Sequence, residues 1–288
     1  IFRLIWESLT MAFHTFTSNR LRSVLSLLGI TIGIFAIISV FTIVDSLERN
    51  IRDSVSSLGS DVVYIEKWPW APEEGQEYAW WKYLNRPLAS FDEYEHIERT
   101  SQLATEASFV SITNRTVTYE NNRADNSTIF GVSDGFQDIR SFEIERGRYF
   151  SPFETEGGRN IAVLGHDLAA ELFGSTDPLG KTIEISGYKV SVIGVTRKEG
   201  KGTFDDNNLD EVVVLPIHFL RTFVDIRREG ASPQIWVKAR SGISVDELMD
   251  EMRSILRSYR RLKPMDEDNF ALNQTSLINN QLDQVFKV

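Results

Sequence analysis

The 288-residue chain contains no cysteine, which excludes disulfides, thiol catalysis and thiolate metal sites. Histidine is scarce: His14, His96, His166 and His218 are scattered, and no pair has the spacing of a helical zinc site. Positive charge is also short, with 31 Lys and Arg against 41 Asp and Glu for a net −10. The first 44 residues hold Arg3, Arg20 and Arg22 against Glu7 alone, so the rest of the chain is more acidic than the average. Such a surface argues against nucleic acid, because phosphate binding needs a basic footprint.

Catalytic motifs are missing too. In Gly174-Ser175-Thr176-Asp177-Pro178-Leu179-Gly180-Lys181-Thr182 the glycines are separated by five residues, where a phosphate-binding loop has four. A proline enters the loop, and a hairpin pattern follows where a helix is required. Asp205, Asp206, Asn207, Asn208, Asp210 and Glu211 cluster without the central glycine of a calcium loop. Nothing has the form of a nucleophile elbow. The expected catalytic, cofactor and metal residues are therefore none.

What the chain does have is a long apolar run. Ser23 to Val44 holds 22 residues without a charge. At 1.5 Å per residue this helix reaches about 33 Å, matching a hydrocarbon core of about 30 Å. A buried helix of a soluble protein seldom runs so long without a polar face. A cleaved signal would have a shorter apolar region ending in small residues, whereas here the helical period continues into Asp45-Ser46-Leu47-Glu48. Arg20 and Arg22 precede the span, so the positive-inside rule puts the N-terminus in the cytoplasm and residues 45–275 outside. Arg49 and Arg52 follow it among Asp45, Glu48 and Asp53.

Ser26, Gly29, Gly33 and Ala36 share one face of the span, which would let another helix approach closely. In residues 1–18, Phe2, Ile5, Trp6, Leu9, Phe13 and Phe16 follow a 3/4 period that suits a helix lying in the cytoplasmic lipid interface. Beyond the span, Leu47, Ile51, Val55 and Leu58 keep the helical spacing up to Gly59, so a helix from about Leu21 to Leu58 is expected. It would be about 57 Å long, with about 20 Å above the bilayer. At the far end Leu277, Ile278, Leu282, Val285 and Phe286 repeat the pattern after a Ser276 cap. The outer domain thus stands on two helical legs. Because the chain starts at Ile1 and stops within this second pattern, it reads as a segment of a longer protein.

Between the legs, strands and helices mix, predicting an α+β domain. Strands are expected at Asp61–Ile65, Asn160–Leu164, Glu211–Leu215 and Gln234–Ala239. Helices are expected from a Ser90 cap to Arg99, at His166–Phe173 and at Val245–Tyr259. One hairpin joins Arg115–Tyr119 to Asn126–Phe130 across Asn121-Asn122, and another turns at Ser186-Gly187. Residues 68–87 gather Trp68, Trp70, Trp80 and Trp81 with Tyr78 and Tyr83. This loop is either a partner-binding surface or a cover for its own domain.

Several blocks resemble one family. Asn19-Arg20-Leu21-Arg22-Ser23-Val24-Leu25-Ser26-Leu27-Leu28-Gly29, Leu58-Gly59-Ser60-Asp61, Gly131-Val132-Ser133 and Gly147-Arg148-Tyr149-Phe150 are four of them. The fifth and most specific is Asp177–Val195, with its Asp-Pro-Leu-Gly-Lys and Val-Ile-Gly-Val pieces. Together they resemble the first transmembrane helix and periplasmic core of a MacB-like ABC transporter permease, within the FtsX-like superfamily. The resemblance implies a four-helix permease in a bacterial inner membrane, dimeric with itself or a second permease and driven by a separate ATPase subunit. It also implies a porter-like part at about 60–135 plus 232–275 and an inserted β-rich part at about 136–231. The membrane helix and stalk would be 19–59, and a returning stalk 276–288. Motion would pass from the ATPase through the long helices, a mode called mechanotransmission, in the service of efflux. A periplasmic adaptor and an outer-membrane channel are candidate partners beside membrane lipid. A lipoprotein-releasing permease and a membrane-anchored sensor are the rival readings, and an anchored enzyme is a third.

Overall fold

In a computed structural model, residues 3, 6–8, 10, 11, 20–57, 59–72, 77–200, 209–278 and 282 are described. Two units are distinguished, residues 1–50 and 51–288, and each is considered by itself. Helix α1 spans Arg20–Ser57, 38 residues without a proline. Its apolar stretch can stay helical in lipid because every interior backbone group is satisfied within the helix. Side-chain hydroxyls follow the same logic: Thr31 and Thr42 donate to the carbonyls of Leu27 and Ile38, each at 2.8 Å. The expected interfacial helix falls largely outside the described residues, since Phe2, Ile5, Leu9, Phe13 and Phe16 all do.

The second unit is built on strands β1 (Val62–Glu66), β2 (Ala104–Tyr119), β3 (Asn122–Val132), β4 (Ile144–Gly147) and β5 (Ile161–Leu164), continued by β6 (Thr182–Ile185), β7 (Tyr188–Thr196), β8 (Val212–Pro216), β9 (Pro233–Ala239) and β10 (Ala271–Asn273). Between them lie α2 (Phe91–Thr100), α3 (Phe136–Arg140), α4 (Pro152–Glu156), α5 (His166–Phe173), α6 (Ile217–Leu220) and α7 (Val245–Tyr259). This is a mixed α+β domain, as expected. The strands form one sheet in the order β10-β1-β9-β2-β3-β8-β5-β7-β4, with β6 bridging β2 and β7. Among the described residues only β3·β8 and β5·β7 are parallel.

That bridge closes the sheet. The pairings β2·β3, β3·β8, β8·β5, β5·β7, β7·β6 and β6·β2 return to their starting strand, leaving β10, β1 and β9 as an open wing and β4 as an edge strand on β7. Strand β2 reaches both β9 and β6 because it is 16 residues long and carries a bulge between Arg115 and Val117. Bulges bend a strand and raise its twist, which sends the far end, Val117 and Thr118, onto Ile185 and Glu184.

Its hairpin with β3 differs from the expectation. The turn is Glu120-Asn121, with Glu120 at φ 51°, and Tyr119 pairs with Asn122. Asn122 belongs to the strand because its side-chain amide donates to the Leu172 carbonyl at 2.6 Å, tying it to α5. A second correction concerns the last helical turn, which begins at Thr275, so Ser276 lies inside it and does not cap it. The Leu277 amide bonds back to Gln274 O instead.

Both faces of the sheet are covered, and the period of two assigns them. Val63, Ile65, Ile235, Val237, Val213 and Leu215 point into one core with Ile97 and Met252, while Val62, Tyr64, Trp236, Val212 and Val214 point into another with Phe130 and Phe136. Helix α2 packs on β2 and on α7. Its capping box is complete: the Glu93 amide donates to Ser90 Oγ at 3.2 Å and the Ser90 amide to Glu93 Oε2 at 2.9 Å. The same carboxylate receives Arg260 Nε at 2.6 Å and Nη2 at 3.1 Å, with both side chains under a tenth exposed (7% and 5%). Arg260 Nη1 adds Asn269 O at 2.9 Å. Removing one partner of such a buried pair strands the other charge, so Arg260→Leu is expected to lower unfolding free energy by about 3–5 kcal/mol. Urea unfolding followed by tryptophan fluorescence checks this, and an unshifted midpoint would refute it.

Candidate functional site

The residues singled out for helix packing, Ser26, Gly29, Gly33 and Ala36, are all exposed on α1. A Cβ built on Gly29 or Gly33 would meet nothing within 4 Å, so the face is open for close approach. Arg20 and Arg22 are exposed at the start of the helix. By length and composition, Arg20–Arg49 is long and apolar enough to cross a membrane. Of the stalk positions, Leu47 and Ile51 are half-buried; the Val55 side chain and Leu58 lie outside the described residues.

Gly59, just before β1, and Thr275, just after β10, lie together. Thr275 Oγ1 donates to the Gly59 carbonyl at 3.3 Å, and the Ala239 amide donates to Asp61 O at 2.8 Å. Gly59 itself has φ +89°, a left-handed conformation suited to stopping a helix.

The four tryptophans do not form one surface. Trp68 and Trp70 are half-buried and held by Asn273, a fully buried residue of β10 whose side chain accepts from Trp70 N at 3.0 Å and donates to Trp68 O at 2.9 Å. Trp70 packs on Tyr64 with ring centroids 4.8 Å apart, and Trp68 meets Tyr83 edge-on. Trp80 and Trp81 remain 54% and 57% exposed and pack on each other at 5.9 Å. Covering and exposed roles are therefore divided within the loop. The Asn273 clamp lacks any sequence signal, since one asparagine acts across about two hundred residues.

The model of one family, the MacB-like periplasmic core domain, matches residues 23–255. The chain belongs to this family. Among MacB relatives, the macrolide export ATP-binding/permease protein MacB of Bdellovibrio bacteriovorus is 26% identical over 273 residues, covering 93% of this chain and 40% of the relative. An ABC transporter permease of Bacillus subtilis, YknZ, is 26% identical over 197 residues, covering 67% of this chain and 47% of the relative. The chain thus spans less than half the length of these relatives, and what it matches is their permease-like part. Among solved structures, the periplasmic region of MacB from Actinobacillus actinomycetemcomitans superposes with a TM-score of 0.63 at 12% identity, over 80% of this chain and 95% of that one. The extracellular domain of YknZ from Gram-positive bacteria gives 0.53 at 17%, over 74% and 100%. A MacB-like core behind a long apolar helix is the arrangement of a membrane-anchored extracytoplasmic domain.

The family-like blocks of this MacB-like core have packing reasons. Gly147 and Gly194 face each other where β4 crosses β7: a Cβ on either would collide with backbone, at Ile193 O and Arg148 O respectively. Between them Arg148 clamps Glu154 through two bonds of 2.7 and 2.8 Å, fixing the start of α4. In Asp177–Val195, the Lys181 amide closes the entry turn on Pro178 O at 3.1 Å before the β6–β7 hairpin. Among the described residues no group of three or more His, Asp or Glu has the arrangement to hold a metal ion. Asp210 of the acidic run is buried and accepts the amides of Glu199 and Gly200, each at 2.9 Å. Its partners at 205–208 lie outside the described residues.

The Glu66 carboxyl is set against its environment. Burial pushes the Glu66 carboxyl up to about 7, partly offset by a hydrogen bond with the Trp70 side chain. A folded-state value above the unfolded one, about 4.3, means that stability is full below the unfolded value and is lost as pH rises through 7. Glu66→Gln should remove that slope between pH 5 and 8, with its gain over the native chain largest at pH 8. Urea midpoints across this range test it, and parallel pH profiles would contradict the assignment.

Proposed function

We propose that this chain is the anchoring helix and extracytoplasmic core of a permease subunit in an ABC-type export complex of a bacterial inner membrane. The observation that carries the reading is the match of the MacB-like periplasmic core family over residues 23–255, a stretch that begins within an apolar helix running to Ser57. Positive charge at Arg20 and Arg22 supports a cytoplasmic N-terminus. In this reading Ser26, Gly29, Gly33 and Ala36 pack against another membrane helix of the same dimer, and Leu47, Ile51, Val55 and Leu58 line the stalk. A separate ATPase subunit supplies the energy, and long helices carry its motion to the domain. Trp80 and Trp81 are the exposed pair offered to an adaptor or channel.

The division into a porter-like part, 60–135 plus 232–275, and an inserted part, 136–231, belongs to the same proposal. The sheet order supports it: β10, β1, β9, β2 and β3 lie together on one side, and β8, β5, β7 and β4 on the other.

The cysteine-free sequence makes orientation directly measurable. Single cysteines at Ser8 and Glu171 should label differently in spheroplasts with a membrane-impermeant maleimide: Glu171→Cys at once, Ser8→Cys only after lysis. Equal labelling of both, or the reverse order, would overturn the orientation. For the mechanical role, Leu47→Pro interrupts the helix ladder at a cost of about 3 kcal/mol. It is expected to abolish export while leaving ATPase assembly and hydrolysis in place. Unchanged export would count against force transmission through α1.

A further inference from the structure

A cavity of about 610 Å³ opens between the first turn of α2 and the segment 221–227 after α6. Its volume falls within the range of small-molecule sites, about 300–1,000 Å³. Phe91, Phe109, Phe223 and Ile226 make its apolar walls. Four charged side chains line it, and they are not equivalent. Asp225 is already engaged, accepting from the Arg227 amide and side chain and from Arg228 at 3.1–3.2 Å. Asp92 and Arg221 are exposed, and the side chain of neither makes a hydrogen bond or ion pair among the described residues. Arg221 instead lays its guanidinium over the Phe91 ring, 5.3 Å from the centroid. Two opposite charges thus border one cavity without neutralising each other, with aromatic surface between them.

A lone anion drawn to Arg221 would also face Asp92, and a lone cation drawn to Asp92 would face Arg221. A molecule carrying both charges at its ends, with apolar groups between, satisfies the whole lining. We propose that this cavity binds a zwitterion of dipeptide size with apolar side chains, its ammonium on Asp92, its carboxylate on Arg221 and its side chains against Phe91 and Phe223. The proposal does not rest on the export reading, because it follows from the lining alone.

The test is isothermal titration calorimetry of the full chain in lipid nanodiscs, using Leu-Phe as the probe. N-acetyl-Leu-Phe, without the ammonium, and Leu-Phe amide, without the carboxylate, are the paired analogues. Leu-Phe is expected to bind saturably, and each analogue about tenfold more weakly, the loss of one charge-assisted contact. Arg221→Gln should weaken Leu-Phe about tenfold and leave the amide unchanged. Asp92→Asn should weaken Leu-Phe and leave the acetylated form unchanged. Both side chains are exposed and make no hydrogen bond among the described residues, so folding is retained, and an unchanged melting temperature verifies it. Absence of saturable binding, analogues as tight as Leu-Phe, or variants indistinguishable from the native chain would each overturn the site. The three-ligand comparison on the native chain decides even if a variant fails to fold.

Discussion

The buried pair between Glu93 and Arg260 is the constraint on which the packing of α2, α7 and the approach to β10 depends. Glu93 is at once the third residue of α2, the reciprocal partner of its Ser90 cap and the bidentate acceptor of an arginine that directly follows α7. Arg260 then reaches Asn269, on the approach to β10. The opposite end of α2 is gripped by the same helix: Glu251 accepts Ser101 Oγ at 2.6 Å and the Gln102 amide at 2.8 Å. Each contact is charge-assisted, and all but the exposed Gln102 bond are partly shielded from water, where such bonds are strongest. A local helix cap has thereby become the anchor for the approach to an edge strand about 180 residues later in sequence.

Much of this fold could be read from local pattern, and the failures have a common cause. Helices His166–Phe173 and Val245–Tyr259 have the expected ends because their amphipathic period and their boundaries are local properties. Strand β2 was visible only in its last third. Its earlier residues include Ser108 and Ser111, both fully buried, which break the apolar signature of a strand covered on two faces. Their hydroxyls are satisfied at a distance, Ser111 by Ala231 O at 2.8 Å and Ser108 by Ser133, and no window of sequence contains both partners. The closing of six strands into a ring was hidden for the same reason, since it depends on a bulge and a short bridging strand.

The tryptophan loop makes the point for candidate sites. Composition identified an unusual aromatic segment, but its division into a packed half and an exposed half is decided by Asn273. The uncancelled charges at the cavity were likewise illegible, because Asp92 and Arg221 look like ordinary surface residues until the fold sets them beside one opening. Charge at a site is defined as much by who is left unpaired as by who is present. Small-residue spacing on α1, by contrast, was readable directly, because a helix face is fixed by period alone.

The meeting of Gly59 and Thr275 has a mechanical consequence. Chain entry and exit lie side by side on neighbouring antiparallel strands, β1 leading away from that point and β10 returning to it. A pull on both ends together therefore drags β1 lengthwise along β9, whose four paired positions must yield at once. Strands loaded in this way slide only when the whole ladder fails, whereas strands peeled from one end open bond by bond. The wing is stiff along its strands and weak across them, so tension applied at Gly59 and Thr275 reaches the closed ring before the wing unzips.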